Sequence, residues 1–263
     1  MSFKKQIFPN KWRYWKDFPI FGAIFSRWSM PNPYFSFKRF TVYHDRCAMK
    51  VGTDGVLLGA WTPVSSARRV LDIGTGTGLI SLMLAQRCPA YIKAVDIAPE
   101  AVEQARINVA ASPWSDRIEV ELQDIGRYTS DSSFDVIVSN PPYFIDSLKC
   151  PDSGRNTARH TDNLDFETLV TAVARLLSPQ GIFCVIIPTD GMQLLLAIAA
   201  RHGLHPSQRT LVHTKPGVEP KRVLLAFKRC PTEGVTDSLT IELSRHIYSK
   251  EYIALTHDFY LKM

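Results

Sequence analysis

From residue 69 onward, apolar runs of strand length alternate regularly with stretches of helix length. Short runs rich in β-branched residues, such as Val136-Ile137-Val138, are typical of buried strands. Seven such strands are predicted: RVLDIG, IKAVDI, RIEVEL, FDVIVS, GIFCVIIP, RTLVHT and RVLLAFK. The stretches between them predict helices at about residues 79–87, 99–111, 166–177 and 191–202. This alternation predicts an α/β fold with a doubly wound, mostly parallel seven-stranded sheet, closed by a C-terminal antiparallel hairpin.

The segment before residue 69 has a different pattern. YFSFKRFTVYHD alternates apolar and polar residues, which predicts a hairpin strand, and KVGTDGVLLGAW predicts a turn and a short apolar helix capped by Thr53 or Asp54. We therefore expect one domain over residues 30–263. Its parts are an N-terminal hairpin and helix (30–68), a core (69–229), and a C-terminal strand and tail (230–263).

Residues 1–29 follow neither pattern. They hold nine aromatic residues and six Lys or Arg against one acid, without a helical or strand period. A secretory signal would need a continuous apolar core and a small-residue cleavage site. We expect this segment to be an extension outside the fold, with Met30 as the true initiator. The alternative is an arm that contacts membrane or RNA through its Trp, Phe and Lys residues.

Composition excludes several classes of protein. The net charge of +6 lies mostly in the first 29 residues, so it says little about the folded body. No apolar run approaches the ~20 residues of a membrane helix. The five cysteines are scattered, which indicates buried thiols in a reducing, cytoplasmic setting. No metal is expected, because the spacing of the candidate histidines suits no ligand set: His160, His202, His205 and His213.

The first residues that indicate a ligand-binding function lie where the predicted strands end. The first core strand runs into LDIGTGTG, with Asp72 before Gly74, Gly76 and Gly78. The second strand ends at Asp96, and a further acid, Asp124, follows the third. Ligands bind doubly wound sheets at the carboxyl ends of the strands, and glycines allow close approach of the backbone. The spacing GxGxG differs from the GxGxxG of dehydrogenases, so the pattern predicts a different cofactor.

These motifs resemble the nucleotide site of class I S-adenosylmethionine-dependent methyltransferases, over about residues 69–229. The resemblance implies S-adenosylmethionine as the cofactor and a Rossmann-like methyltransferase fold. It implies that the three glycines line the methionine part and that Asp72 orients the amino group. By the same resemblance, Asp96 holds the ribose hydroxyls, Ile97 belongs to the cofactor residues, and Asp124 and Ile125 meet the adenine.

The fourth strand exits through Asn140-Pro141-Pro142-Tyr143, which resembles the amino-methylating branch of that superfamily. The Asn140 side-chain oxygen and the Pro141 carbonyl can accept the two N–H groups of a target nitrogen, and Asn140 also borders the cofactor. Pro141 and Pro142 fix this geometry in advance, which removes an ordering cost from the transition state. Tyr143 can stack on a flat target. The alternative is a stiff strand exit with a core aromatic.

Five segments indicate which family of amino-methylating enzymes the chain resembles: TDGVLLGAW, NPPYF, ARH, KPGVEPKR and DFYLKM. Together they are similar to bacterial tRNA adenine-N6 methyltransferases that modify adenine 37 of a valine tRNA. The similarity runs from residue 30 to 263 and implies a tRNA substrate, with no membrane and no obligate protein partner. It implies that Lys50, Thr53 and Asp54 cover the cofactor. The residues expected to meet RNA are Phe144, Arg155, Arg159, Lys215, Lys221 and Arg222.

Other functions stay open at this point. For the basic segment around Lys215–Arg222, a solvated surface is about as good an interpretation as phosphate contact. Related enzymes with NPPY methylate a glutamine of release factors, and others methylate rRNA bases. Release-factor enzymes carry a substantial helical domain before the core, and no segment before Arg69 is long enough for one. A non-catalytic RNA-binding module would need neither Asn140 nor the glycine loop.

Overall fold

The computed structural model describes residues 32–46, 50–142 and 165–262. The strands are β1 (Tyr34–Ser36), β2 (Thr41–Tyr43), β3 (Arg69–Ile73), β4 (Tyr91–Asp96), β5 (Ile118–Leu122), β6 (Phe134–Ser139), β7 (Leu177–Pro188), β8 (His205–His213), β9 (Arg222–Lys228), β10 (Val235–Thr240), β11 (Glu242–Ser244) and β12 (Ile247–Tyr248). The helices are α1 (Thr53–Trp61), α2 (Leu79–Arg87), α3 (Pro99–Ala110), α4 (Phe166–Leu176), α5 (Met192–Arg201) and α6 (Lys250–Thr256). The predictions for residues 1–29 lie outside the described residues.

One sheet organises the fold, with the strand order β10-β8-β9-β7-β6-β3-β4-β5. Strands β3 to β7 are parallel, and β9 is antiparallel to β7 and β8. The predicted fold class is confirmed, and the seven predicted core strands are all present. The C-terminal strand β10 extends the sheet to eight by pairing in parallel with β8, from Val235 opposite Gln208 to Thr240 opposite His213.

The site is positioned by the edge at which β3 to β7 end, here called the carboxyl edge. The strand order reverses between β3 and β6, which are hydrogen-bonded neighbours. At such a reversal the following loops diverge to opposite faces and leave a crevice for a ligand. Because β9 is antiparallel, its first residue lies at the same edge, with Arg222 opposite Pro188.

Two hydrophobic cores lie on the two faces of the sheet. Helices α1, α2 and α3 contribute Leu57 and Met83, among others, to one core, and α4 and α5 contribute Val173 and Leu195 to the other. The sequence of α4 explains why this segment is helical. Its buried residues recur at helical spacing over one face, and the Asp165 carboxylate caps the helix by accepting the Thr168 amide at 2.7 Å.

The predicted side-chain cap of α1 is wrong. Gly52 is the N-cap residue, and no side chain caps the helix. Thr53 is exposed, and the Asp54 carboxylate accepts a hydrogen bond from the Arg222 Nε instead. An ion pair with a distant arginine thus replaces the local cap that the sequence suggested.

The two ends of the described fold pack together. The predicted N-terminal hairpin is present as β1 and β2, which pair antiparallel. Phe37 forms an isolated β-bridge with Tyr260, and the Lys38 amide donates to the Phe259 carbonyl at 2.8 Å. Tyr34–Met263 accordingly forms one compact unit of the chain. In the part of the chain that the structure describes, no helix combines the length and apolarity of a membrane span.

Candidate active site

The loop after β3 has a backbone that only glycine adopts easily. Gly74, Gly76 and Gly78 have φ of 71°, 57° and 80°, which L side chains disfavour. A Cβ on Gly74 or Gly76 would meet no atom within 4 Å, so these positions face open space. A side chain there would both strain the backbone and fill that space. The loop is shaped to admit a ligand close to its main chain.

The same loop is fastened to the end of β4. The amides of Gly74 and Thr75 both donate to the Val95 carbonyl, at 2.9 and 3.0 Å. The Gly76 amide donates to Asp96 Oδ2 at 2.8 Å, and the Ala98 amide donates to Asp96 Oδ1 at 3.0 Å. Each carboxylate oxygen can accept a further hydrogen bond. Asp96 therefore shapes the loop and still has acceptor capacity for hydroxyl groups of a ligand.

Asp72 is the most perturbed acid of this edge. Its side chain is fully buried, and its Oδ2 accepts hydrogen bonds from the Thr75 and Ser81 hydroxyls, each at 2.7 Å. Burial raises the pKa of Asp72 to about 6, although both hydroxyls oppose the shift. Its Oδ1 is buried and has no hydrogen-bond partner among the described residues. An orphaned buried acceptor is costly, and a cationic donor from a ligand would satisfy it.

The loop after β5 carries the third acid. Asp124 accepts the Gly126 amide at 2.9 Å, while Ile125 is buried beside it. Arg175 of α4 holds this loop in place, because its Nη2 donates hydrogen bonds to the carbonyls of Ile125 at 3.2 Å and Tyr128 at 2.8 Å. Sequence reasoning missed Arg175, because no local motif marks an arginine that binds main-chain carbonyls about 50 residues away.

Ile97 follows Asp96 at the same edge. It is 54% exposed, an unusual fraction for a large aliphatic side chain directly after a buried strand. With Asp96 before it, Ile97 gives the edge one polar and one apolar contact surface. This pairing suits a nucleoside, which has hydroxyl groups on its sugar and flat apolar faces on its base.

The NPPY loop leaves the sheet beside the glycine loop. In the β3–β6 register Asp72 lies opposite Val138 and Ile73 opposite Ser139, so Asn140 follows level with Gly74. The buried Ser139 hydroxyl donates to the Ile73 carbonyl at 2.9 Å and joins the two strand exits. Ser139 was also missed by sequence reasoning, although a hydroxyl at the end of an apolar strand is a usable signal.

The first three motif residues are described. Asn140 is half-buried, Pro141 is buried and Pro142 is exposed. The other residues predicted for this loop lie outside the described residues: Tyr143, Phe144, Arg155 and Arg159. Their roles remain predictions.

Asp54 and Arg222 were predicted to serve different ligands, but they contact each other. Arg222 Nε donates to Asp54 Oδ2 at 2.8 Å, and both side chains are partly buried. The pair joins the start of α1 to the start of β9. Lys50 lies exposed just before α1, and its role in covering the cofactor remains a prediction.

The basic loop (residues 214–221, between β8 and β9) is held in place at its second half. The Thr189 hydroxyl donates to the Pro220 carbonyl at 2.9 Å, and the Lys221 amide donates to the Val212 carbonyl at 3.2 Å. Lys215 and Lys221 are exposed. A cleft of about 750 Å³ lies between this loop and the end of β7, lined by Pro188, Thr189, Asp190, Val218, Glu219, Pro220, Lys221 and Arg222.

Comparison with known proteins decides the family. Residues 49–190 match the family Methyltransferase small domain. The tRNA1(Val) (adenine(37)-N6)-methyltransferase of Phocaeicola vulgatus is 72% identical over 234 residues, which cover 89% of this chain and 100% of that protein. The chain belongs to the family of tRNA1(Val) (adenine(37)-N6)-methyltransferases. Another relative, the enzyme of the same name from Cronobacter sakazakii, is 47% identical over 87% of this chain and 95% of its own length. The resemblance inferred from the motifs is confirmed.

Solved structures of other methyltransferases share the fold. A predicted O-methyltransferase from Agrobacterium tumefaciens has a TM-score of 0.61 and 22% identity, over 78% of this chain and 96% of that one. A ribosomal protein L11 methylase from Lactobacillus delbrueckii has a TM-score of 0.53 and 16% identity, over 72% of this chain and 84% of that one. At these identities the likeness supports the methyltransferase fold.

Proposed function

We propose that this protein transfers a methyl group from S-adenosylmethionine to the N6 nitrogen of adenine 37 in a valine tRNA. Family membership supports the substrate, since relatives of up to 72% identity carry the name tRNA1(Val) (adenine(37)-N6)-methyltransferase. One structural observation supports the chemistry. The glycine loop and Asn140 leave neighbouring strands at the same level, so a cofactor on the first and an amino group on the second would be adjacent.

The residues of the carboxyl edge fit the cofactor. The orphaned Asp72 Oδ1 would accept from the ammonium group, and the open faces of Gly74 and Gly76 would admit the methionine part. Asp96 would accept from the ribose hydroxyls, while Ile97, Asp124 and Ile125 would contact the base. The bound cofactor supplies an electrophilic methyl group on a positively charged sulfur.

Asn140 and Pro141 prepare the nucleophile. The exocyclic nitrogen of adenine is a weak nucleophile because its lone pair is delocalised into the ring. The Asn140 side-chain oxygen and the Pro141 carbonyl would accept its two N–H groups and so localise the lone pair toward the methyl group. The proton can leave after the transfer, so no strong base is needed. The two prolines hold the acceptors in place before the substrate binds.

Labelled S-adenosylmethionine tests the proposed function. Incubated with bulk tRNA, peptide release factor or ribosomal RNA, the protein should label only tRNA, and nucleoside analysis should find N6-methyladenosine. A valine tRNA transcript with guanine in place of adenine 37 should take no label. Label in the release factor, in ribosomal RNA or in another nucleoside would contradict the proposal. A cytoplasmic location and the absence of an obligate protein partner belong to the same proposal.

The basic loop is expected to hold tRNA through phosphates. Replacing Lys215 and Lys221 together by alanine should raise the apparent KM for tRNA. It should also lower the slope of log affinity against log salt by roughly one per lost phosphate contact. Arg222 is left intact in this variant, because its loss would also break the contact with Asp54.

Glu219 provides a control of opposite sign in the same loop. It is exposed and acidic, so Glu219→Gln should strengthen tRNA binding if phosphates lie against the loop. Cofactor affinity should not change in either variant. If the salt slope is the same in all three proteins, the loop is merely solvated.

A further inference from the structure

The turn between β11 and β12 has an unfavourable residue at its tip. Ser244 pairs with Ile247, so Arg245 and His246 form a two-residue turn. His246 has φ of 63° and is the only non-glycine residue with positive φ in residues 32–46, 50–142 and 165–262. Glycine adopts this conformation without steric cost and is favoured at such positions. Histidine is one of the non-glycine residues found more often in this conformation, but glycine would still relax the turn, so the imidazole is a candidate for a role beyond reversing the chain.

The β11–β12 hairpin is fixed to the carboxyl edge. The Ile241 amide donates to the His213 carbonyl at 2.9 Å, and the Glu242 amide donates to the Thr214 carbonyl at 3.1 Å. On its return the chain is tied again, because the Ser249 amide donates to the Ile241 carbonyl at 3.0 Å. The hairpin therefore starts beside the first residues of the basic loop.

The spacing between strands gives the approximate distance from this hairpin to Asn140. Four strand-to-strand steps separate β6 from β10 in the order β6-β7-β9-β8-β10. At about 4.8 Å per step the separation is ~19 Å. A structured RNA that places one base at Asn140 would extend across this distance.

The exposed groups of the hairpin suit RNA. Arg245 and His246 are exposed at the tip, and the flanking Leu243 and Ile247 are 54% and 58% exposed. A guanidinium can bind phosphate oxygens in a bidentate manner, and an imidazole can stack on an unpaired base or donate to phosphate. Aliphatic side chains beside them offer apolar contact to a base or sugar face.

We propose that the β11–β12 hairpin is a second tRNA-contacting element, separate from the basic loop, with Arg245 and His246 as its contact residues. It engages nucleotides away from the methylated base and so positions the tRNA rather than the adenine. The inference rests on the proposed function, because it takes tRNA as the substrate. Binding of RNA would give this histidine a role that glycine could not fill.

The test uses the full chain with the double substitution Arg245→Ala and His246→Gly. We expect at least a fivefold rise in the Kd for valine tRNA and a salt slope lower by roughly one. The melting temperature should stay within about 2 °C of the wild type, because glycine relieves strain while adding freedom to the unfolded chain. S-adenosylmethionine affinity should be unchanged. Arg68→Ala is the matched control, since Arg68 is exposed before β3 at the opposite edge of the sheet.

The outcomes separate this inference from the function on which it rests. If the wild type does not methylate tRNA, the proposed function fails, and this inference fails with it because it takes tRNA as the substrate. If the wild type methylates tRNA and the double variant binds it as tightly, the hairpin is not a contact element. An equal loss of affinity in Arg68→Ala would show a general charge effect and would also overturn the inference.

Discussion

Replacing Asn140 by alanine is expected to lower the rate of methyl transfer by a factor of about 10² or more, as for loss of one transition-state hydrogen-bond partner. The cofactor should bind almost as before, because the contacts proposed for it belong to the glycine loop and the acids at the ends of β3 to β5. Single-turnover methylation of valine tRNA measures the first effect, and calorimetry with S-adenosylmethionine measures the second.

Asp96→Ala is the companion variant with the reverse pattern. It removes the acceptor proposed for the ribose hydroxyls and also releases the Gly76 amide, which donates to Asp96 at 2.8 Å. Cofactor affinity should fall first, and saturating cofactor should restore much of the rate. If Asn140→Ala loses cofactor affinity and rate to the same extent, Asn140 is not specific to the chemical step.

Asp72→Asn is expected to stabilise the free protein at high pH and to lose most of its cofactor affinity. The pKa of Asp72 is raised from 3.8 to about 6 in the folded state. The folded chain therefore binds this proton more tightly than the unfolded chain, and stability is lost as pH rises from about 4 to 6. At 1.36 kcal/mol per pH unit, the ionised carboxylate costs about 3 kcal/mol above that range.

The measurement compares unfolding of the two free proteins at pH 4.5 and pH 8. The free energy of unfolding of the variant relative to wild type should increase from pH 4.5 to pH 8, because residue 72 ionises over this range only in the wild type. Asparagine can still accept from Thr75 and Ser81 through its side-chain oxygen, so the loop is retained. S-adenosylmethionine should raise the melting temperature of the wild type at pH 8 and hardly that of the variant. If the difference in unfolding free energy between the two proteins is the same at both pH values, the charge of Asp72 does not destabilise the free protein.

The sequence predicted the core well because its signals are local. Buried parallel strands are continuous apolar runs, and helices α2 and α3 begin and end close to where periodicity and Pro99 place them. Strand β10 has a weaker pattern, since four of its six residues are exposed. The glycine spacing correctly indicated a loop with special backbone geometry, because positive φ is a property of the residue itself.

Interactions between distant residues could not be predicted in this way. Asp54 meets Arg222 across 168 residues, and the Ser139 hydroxyl meets the Ile73 carbonyl across 66. Neither contact leaves a period or a motif in the sequence. Asp72 illustrates the same limit, since its position was evident but its burial and its orphaned oxygen depend on the packed fold.

The pairing of the N-terminal hairpin with the C-terminal tail constrains how the chain can be made. Lys38 Nζ donates to the His257 carbonyl, 219 residues away, beside the bridge from Phe37 to Tyr260. These contacts cannot form on the ribosome until residue 260 has emerged. The parallel strands β3 to β6, by contrast, all lie before residue 140, so they can pair with one another before the tail is synthesised. Packing of the hairpin against the tail is therefore a late, high-contact-order step of folding, and the Phe37 ring lacks its contact with Tyr260 until then.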